Sequence, residues 1–112
     1  MYKILTASDG TKFKLDPSAY AIVAYKQISG RDLFADIQRS FGNGEPDVAL
    51  LLDILFVFCY CHDNKLDYAT FFKKLPVKIA VDTTLHEKLI EILIAEFGIE
   101  KPEEETVEPS GK

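Results

Sequence analysis

Residues 46–62 read Pro-Asp-Val-Ala-Leu-Leu-Leu-Asp-Ile-Leu-Phe-Val-Phe-Cys-Tyr-Cys-His. Between Val48 and Cys61 the only charged residue is Asp53, and the apolar residues follow one another without the alternation of a half-exposed strand. The stretch therefore predicts a helix that is apolar almost all round. It is about 25 Å long at 1.5 Å per residue, short of the roughly 20 apolar residues that cross a bilayer. A helix of this kind must be covered on most sides, which makes it the central helix of a core. Its least greasy seam is Pro46, Ala49, Asp53 and Tyr60, spaced by three, four and seven. There the helix would reach solvent or meet another chain; Asp53 is then either a rim residue or a partner contact.

The 112 residues amount to one ordinary domain, large enough for a core without disulfides or metal. A formal net charge of -5 argues against a nucleic-acid partner, which would need clustered Lys and Arg. The opening Met-Tyr-Lys-Ile-Leu-Thr-Ala-Ser-Asp-Gly has no basic run followed by an apolar one. With both cysteines inside the apolar helix, a reducing, cytoplasmic setting is expected, with no membrane segment.

Upstream, residues 2–15 place two short runs around Asp9-Gly10, a dipeptide favoured in two-residue type I′ hairpins. That turn pairs Ser8 with Thr11, Thr6 with Phe13 and Ile4 with Leu15, and leaves Lys3, Lys12 and Lys14 to wet the other face. A lone hairpin is marginal in water, so it must lie on the helices or extend by pairing with a copy of itself. Asp16-Pro17 reads as a helix start, giving a helix from Pro17 to Ser29 with Tyr20, Val23, Ala24 and Ile28 buried and Gly30 as left-handed cap. Asp32 starts a shorter amphipathic helix, with Leu33, Phe34, Ile37 and Phe41 on one face and Asp36, Gln38 and Arg39 on the other.

Downstream of the central helix, Asp67 can cap a short helix carrying Tyr68, Phe71, Phe72 and Leu75, which Pro76 ends. Val77 to Val81 is short and β-branched and reads as extended. Thr84 with Glu87 fits a capping box ahead of the stripe Leu85, Leu89, Ile92, Leu93 and Phe97; Gly98 closes that helix, with Ile99 folded back on it. Residues 100–112 hold five Glu, two Pro and hardly an apolar residue, the composition of a disordered acidic tail. The fold class expected is α+β, mostly α: an N-terminal β-hairpin on a bundle of four to five helices, with residues 1–99 as one domain and 100–112 as the tail.

Little of this carries catalytic chemistry. Cys59, Cys61, His62 and Asp63 have a metal-like flavour, but helix residues two apart point about 200° from each other, and no second Cys or His pair accompanies them. Neither His62 nor His86 has a nucleophile with a local signature, and GxxxxGK[ST], GxGxxG and HExxH are absent. The expectation is a non-enzyme with no cofactor and no metal. Five Tyr and eight Phe are many for one small core, so some aromatic residues should lie at a protein contact. The candidates are Phe34, Phe41, Asp53, Tyr60, Phe71 and Phe72.

The order of these parts, with Gly30-Arg31-Asp32-Leu33-Phe34 after the first helix, resembles the tail assembly chaperones of long-tailed phages and prophages of low-GC Gram-positive bacteria. The similarity spans roughly residues 1–97. It implies a cytoplasmic, non-enzymatic protein that coats the tape-measure protein, keeps it soluble and leaves as the tail tube polymerises. The resemblance also implies a homo-oligomer, and a longer frameshifted form that recruits tail tube protein, of which this chain would be the short form. The alternative is a small adaptor or regulatory subunit with one stoichiometric protein partner.

Overall fold

The computed structural model describes residues 2–42, 44 and 47–99. Eight elements follow in order: β1 (Lys3–Thr6), β2 (Lys12–Leu15), α1 (Tyr20–Ser29), α2 (Leu33–Gly42), α3 (Val48–His62), α4 (Tyr68–Lys74), α5 (Val77–Ala80) and α6 (Thr83–Phe97). The class is α+β and mostly α, a two-stranded antiparallel hairpin on six helices. The acidic segment 100–112 lies outside the described residues.

The centre is α3. Asp47 caps it by accepting the Leu50 amide, and six consecutive residues from Ile54 to Cys59 are buried. Six residues cover more than a full turn, so the helix is enclosed on all sides at that level. The hairpin lies on α3 through β2 and on α6 through β1, while α1 runs along another flank of α3. Leu5, Phe13 and Leu15 from the hairpin, Leu33 and Ile37 from α2, and Leu85, Leu89 and Leu93 from α6 complete the core.

The hairpin corrects the expected register by one residue. Ala7 donates to the Thr11 carbonyl at 2.8 Å and Gly10 to that of Ala7 at 3.0 Å, which closes a loop of three residues. Gly10 takes a φ of 94° in it, the left-handed position after a type I turn. Leu5 therefore faces Phe13, Thr6 faces Lys12, and Ile4 faces Lys14. Leu5, Ala7, Phe13 and Leu15 point into the core, and Ile4 is exposed. The loop is tied down by Asp82, whose carboxylate accepts the Ser8 amide at 2.7 Å and the Ser8 hydroxyl at 2.8 Å.

Asp82 also accepts the Thr84 amide at 3.0 Å and so is the cap of α6. The cap expected at Thr84 falls two residues late, since Thr84 is already in the first turn. Gly98 closes α6 in the left-handed conformation with its amide on Ile94, and Ile99 packs partly buried against the core. Two other boundaries move. Helix α1 begins at Tyr20 rather than Pro17, because the Asp16 amide is held by the Phe58 carbonyl of α3 and Ser18 turns back on Asp16. The stretch after Pro76, expected to be extended, is the helical turn α5, whose Ile79 and Ala80 amides bond the Pro76 carbonyl.

The largest correction concerns what α1 buries. Ala21, Ala24 and Tyr25 face the core, while Tyr20, Val23 and Ile28, expected inside, are 44%, 50% and 41% exposed. The two alanines bring α1 close to α3, and the larger apolar residues are left on its flanks.

Candidate functional site

Between α1 and α4 the seam of the central helix α3 lies incompletely covered. Ala49 is exposed, and Asp53 and Tyr60 are half-buried; Pro46 is outside the described residues. Helix α4 forms because Asp67 accepts the Thr70 amide at 3.0 Å and its hydroxyl at 2.9 Å, which satisfies free donors of the first turn. That cap places Tyr68 first in the helix, and the Tyr68 hydroxyl donates to Asp53 Oδ1 at 2.6 Å. Asp53 accepts that proton's hydrogen bond, and with some burial it pushes the Tyr68 phenol up to about 12. The two residues therefore hold each other as neutral phenol and acceptor.

Phe56, only 1% exposed, is the hub beneath this contact. Its ring lies 5.3 Å from Tyr68, 5.3 Å from Phe71, 6.1 Å from Phe72 and 5.9 Å from Tyr60. Tyr68 and Phe72 meet edge to face at 4.9 Å, and Tyr60 stacks under Tyr20 of α1 at 6.5 Å. Such pairs contribute about 0.5–1.5 kcal/mol each beyond area burial. Yet no residue of α4 is fully buried, so its rings are seated on α3 with their outer sides open. Tyr25, Ile28, Ser29, Asp53, Val57 and Tyr68 line a cleft of about 370 Å³ in this surface. Apolar walls with a single carboxylate suit one or two side chains of a docking helix.

Of the six residues expected at a contact, Asp53, Tyr60, Phe71 and Phe72 come together here. Phe41 does not: at 7% exposed it is a core residue where α2 meets the bundle. Phe34 lies elsewhere, stacked at 6.4 Å on Phe97 of α6 and 39% exposed. Tyr20, Ile28 and Tyr68 join the surface. Tyr68 had a signal in the sequence, the capping Asp67 just before it, whereas the outward position of Tyr20 and Ile28 depends on the late start and small-residue packing of α1.

A second cluster adjoins this cleft through Tyr25. Asp36, expected on the wet face of α2, is 5% exposed. It accepts the Tyr25 hydroxyl at 2.8 Å, Arg31 Nε at 2.7 Å and Arg31 Nη2 at 3.0 Å, and it pairs with Arg39. The Arg31 guanidinium, above all, holds the carboxyl down at about 2 against the cost of burial, and burial with the bond to Asp36 pushes the Tyr25 phenol up to about 12. Every oxygen of Asp36 is satisfied internally, so the cluster fastens α1 to α2 and offers little to a ligand.

Burial pushes the thiols of Cys59 and Cys61 up to about 12 and 11, the reverse of an activated thiol. His62 packs edge-on against Tyr2 at 4.7 Å, and His86 Nε2 donates to the Ala80 carbonyl at 2.7 Å. Among the described residues no group of three His, Cys, Asp or Glu side chains could hold a metal ion, and no helix is long and apolar enough to cross a membrane. A scan against protein-family models and searches of curated proteins and of solved structures return no match.

Proposed function

We propose that this chain is a non-enzymatic binding protein of the tail assembly chaperone type, which holds the tape-measure protein in the host cytoplasm until the tail tube polymerises. The observation that carries the reading is the half-buried aromatic surface over the α3 seam, Tyr20, Tyr60, Tyr68, Phe71 and Phe72 around Phe56. Aromatic rings bury much area at low entropy cost, which suits contact with the apolar faces of a long helical client. The net charge of -5 disfavours association of the loaded complexes with one another.

Many copies binding weakly along one client would hold it tightly overall while each copy still lets go. Self-association of the chain, and recruitment of tail tube protein by a longer form, belong to the same proposal. The cleft beside Asp53 favours a second reading, an adaptor with a single stoichiometric partner that inserts one side chain there.

Co-expression with the tape-measure protein of the same genome, followed by pull-down and light scattering, separates the two. The chaperone reading expects many copies on a client that is insoluble alone, and loss of solubilisation in Tyr68→Asp with the fold kept. A client equally insoluble with and without the chain contradicts it.

A further inference from the structure

The sheet stops one strand short of the helices it lies on. β1 rests on α6 and β2 on α3. Helix α4, seated on α3, meets β2 through Phe71 and Phe13 at 6.4 Å, and among the described residues no third strand covers it. The space left is a groove of about 670 Å³, lined by Thr11 and Phe13 from the second arm of the hairpin, by Phe71, Leu75 and Ile79, and by no residue of β1. It therefore opens on the β2 side. Asp9 and Asp67 line it as well as Lys65, Lys74 and Lys78, a rim of mixed sign, so the groove itself selects for apolar side chains.

The edge of β2 beside this groove is unpaired. The Ala7 amide donates to the Thr11 carbonyl, and hydrogen-bonded pairs alternate with non-bonded ones along an antiparallel ladder. Leu5 with Phe13 and Lys3 with Leu15 are then bonded pairs, and Thr6 with Lys12 and Ile4 with Lys14 are not. The backbone N–H and C=O groups of Lys12 and Lys14 thus point away from β1, and among the described residues no other element bonds them. The row ends at Asp16, whose amide donates to the Phe58 carbonyl at 3.0 Å. The matching row on β1 is partly taken, since the Thr6 carbonyl accepts Lys88 Nζ at 3.2 Å. The side chains of Lys12 and Lys14 stand exposed on the face opposite Phe13 and, among the described residues, make no ion pair.

We propose that β2 takes a third strand from another protein, an extended segment in which apolar and acidic residues alternate. Its backbone pairs with the free groups of Lys12 and Lys14. Its apolar side chains lie in the groove on Phe13, Phe71 and Leu75, and its acidic ones stand beside Lys12 and Lys14 on the outer face. A second copy of this chain is the poorer occupant, because pairing β2 with β2 sets lysine against lysine on that face. The added strand also covers α4, of which no residue is fully buried in the free chain. The inference does not depend on the identity of the client at the α3 seam.

Amide hydrogen exchange and chemical shifts of the full chain test it, with a pair of synthetic octapeptides, one alternating Val with Glu and the other Val with Lys. At millimolar Val-Glu peptide, exchange of the Lys12 and Lys14 amides should slow by about tenfold. The amides of Phe71, Leu75 and Ile79 should shift, and those of Ile4 and Thr6, on the outer edge of β1, should keep their exchange rates. The Val-Lys peptide should bind about tenfold more weakly, because its cross-strand charge pairs are reversed in sign. The double variant Lys12→Glu/Lys14→Glu, changed only at exposed side chains and checked for an unaltered α3 spectrum, should prefer the Val-Lys peptide instead. Unslowed Lys12 and Lys14 amides, protection of Ile4 and Thr6 in their place, or an equal response to both peptides would overturn the proposal.

Discussion

Helices α3 and α4 are both rich in aromatic residues and pack directly on each other, yet α3 buries seven residues completely and α4 none. Both have an Asp cap and both carry Phe pairs, so local sequence does not separate them. The difference is position. Helix α3 is enclosed by the hairpin, α1 and α6, whereas α4 is seated on α3 through Phe56 and the Tyr68–Asp53 hydrogen bond, meets the hairpin through Phe71 and Phe13, and buries no residue fully. Rings in α3 stabilise the fold; rings in α4 are held in place by it and keep open faces.

That contrast can be broken from the α3 side. Phe56→Ala removes the hub and leaves a cavity under four rings, so it should cost about 3–5 kcal/mol in urea unfolding. Phe72→Ala, with the same chemistry on the open helix, should cost about 1–2 kcal/mol, because the ring is already half in water. Equal losses at the two positions would mean that α4 is as deeply integrated as α3.

Next in size is the polar corner. Asp36→Ala leaves Tyr25 and two guanidinium groups without their acceptor and should cost about 2–4 kcal/mol. The same residue sets a pH dependence. Its folded-state pKa, about 2, lies below that of the unfolded chain, so its contribution is complete above about pH 4 and is lost as pH falls toward 2. Wild type should therefore lose about 1–2 kcal/mol more than Asp36→Ala across that window, as read from urea midpoints at successive pH values.

The smallest effect is expected where the surface is most open. Tyr68→Phe removes only the hydrogen bond to Asp53 and should change stability by about 0.5–1 kcal/mol. It should also remove a phenol that titrates late in the ultraviolet spectrum, near 12. A much larger loss would place Tyr68 among the core residues instead.

The sequence disclosed what depends on enclosure or on a single residue type: the central helix from its unbroken apolar run, the Asp67 cap, and the glycine stops at Gly30 and Gly98. It also marked Asp53 and Tyr60 as the open seam. It misled where two local signals competed. Asp9-Gly10 serves a two-residue or a three-residue turn equally well, and the tie of Ser8 to Asp82, 74 residues away, goes with the three-residue form. Asp36 read as wet because its three partners come from α1, the following loop and α2, and only the fold brings Tyr25 to it. Phe41 read as a contact residue because nothing local distinguishes a ring at the end of a helix in the core from one at its surface.

Hydrogen exchange of the chain, free and mixed with the client proposed for it, a tape-measure protein, tests the central claim most directly. The account predicts new protection concentrated in Tyr68 to Leu75 and the exposed flank of α1, with α3 already protected in the free chain. New protection confined to α2 and α6, with Tyr68 to Leu75 unchanged, would contradict it.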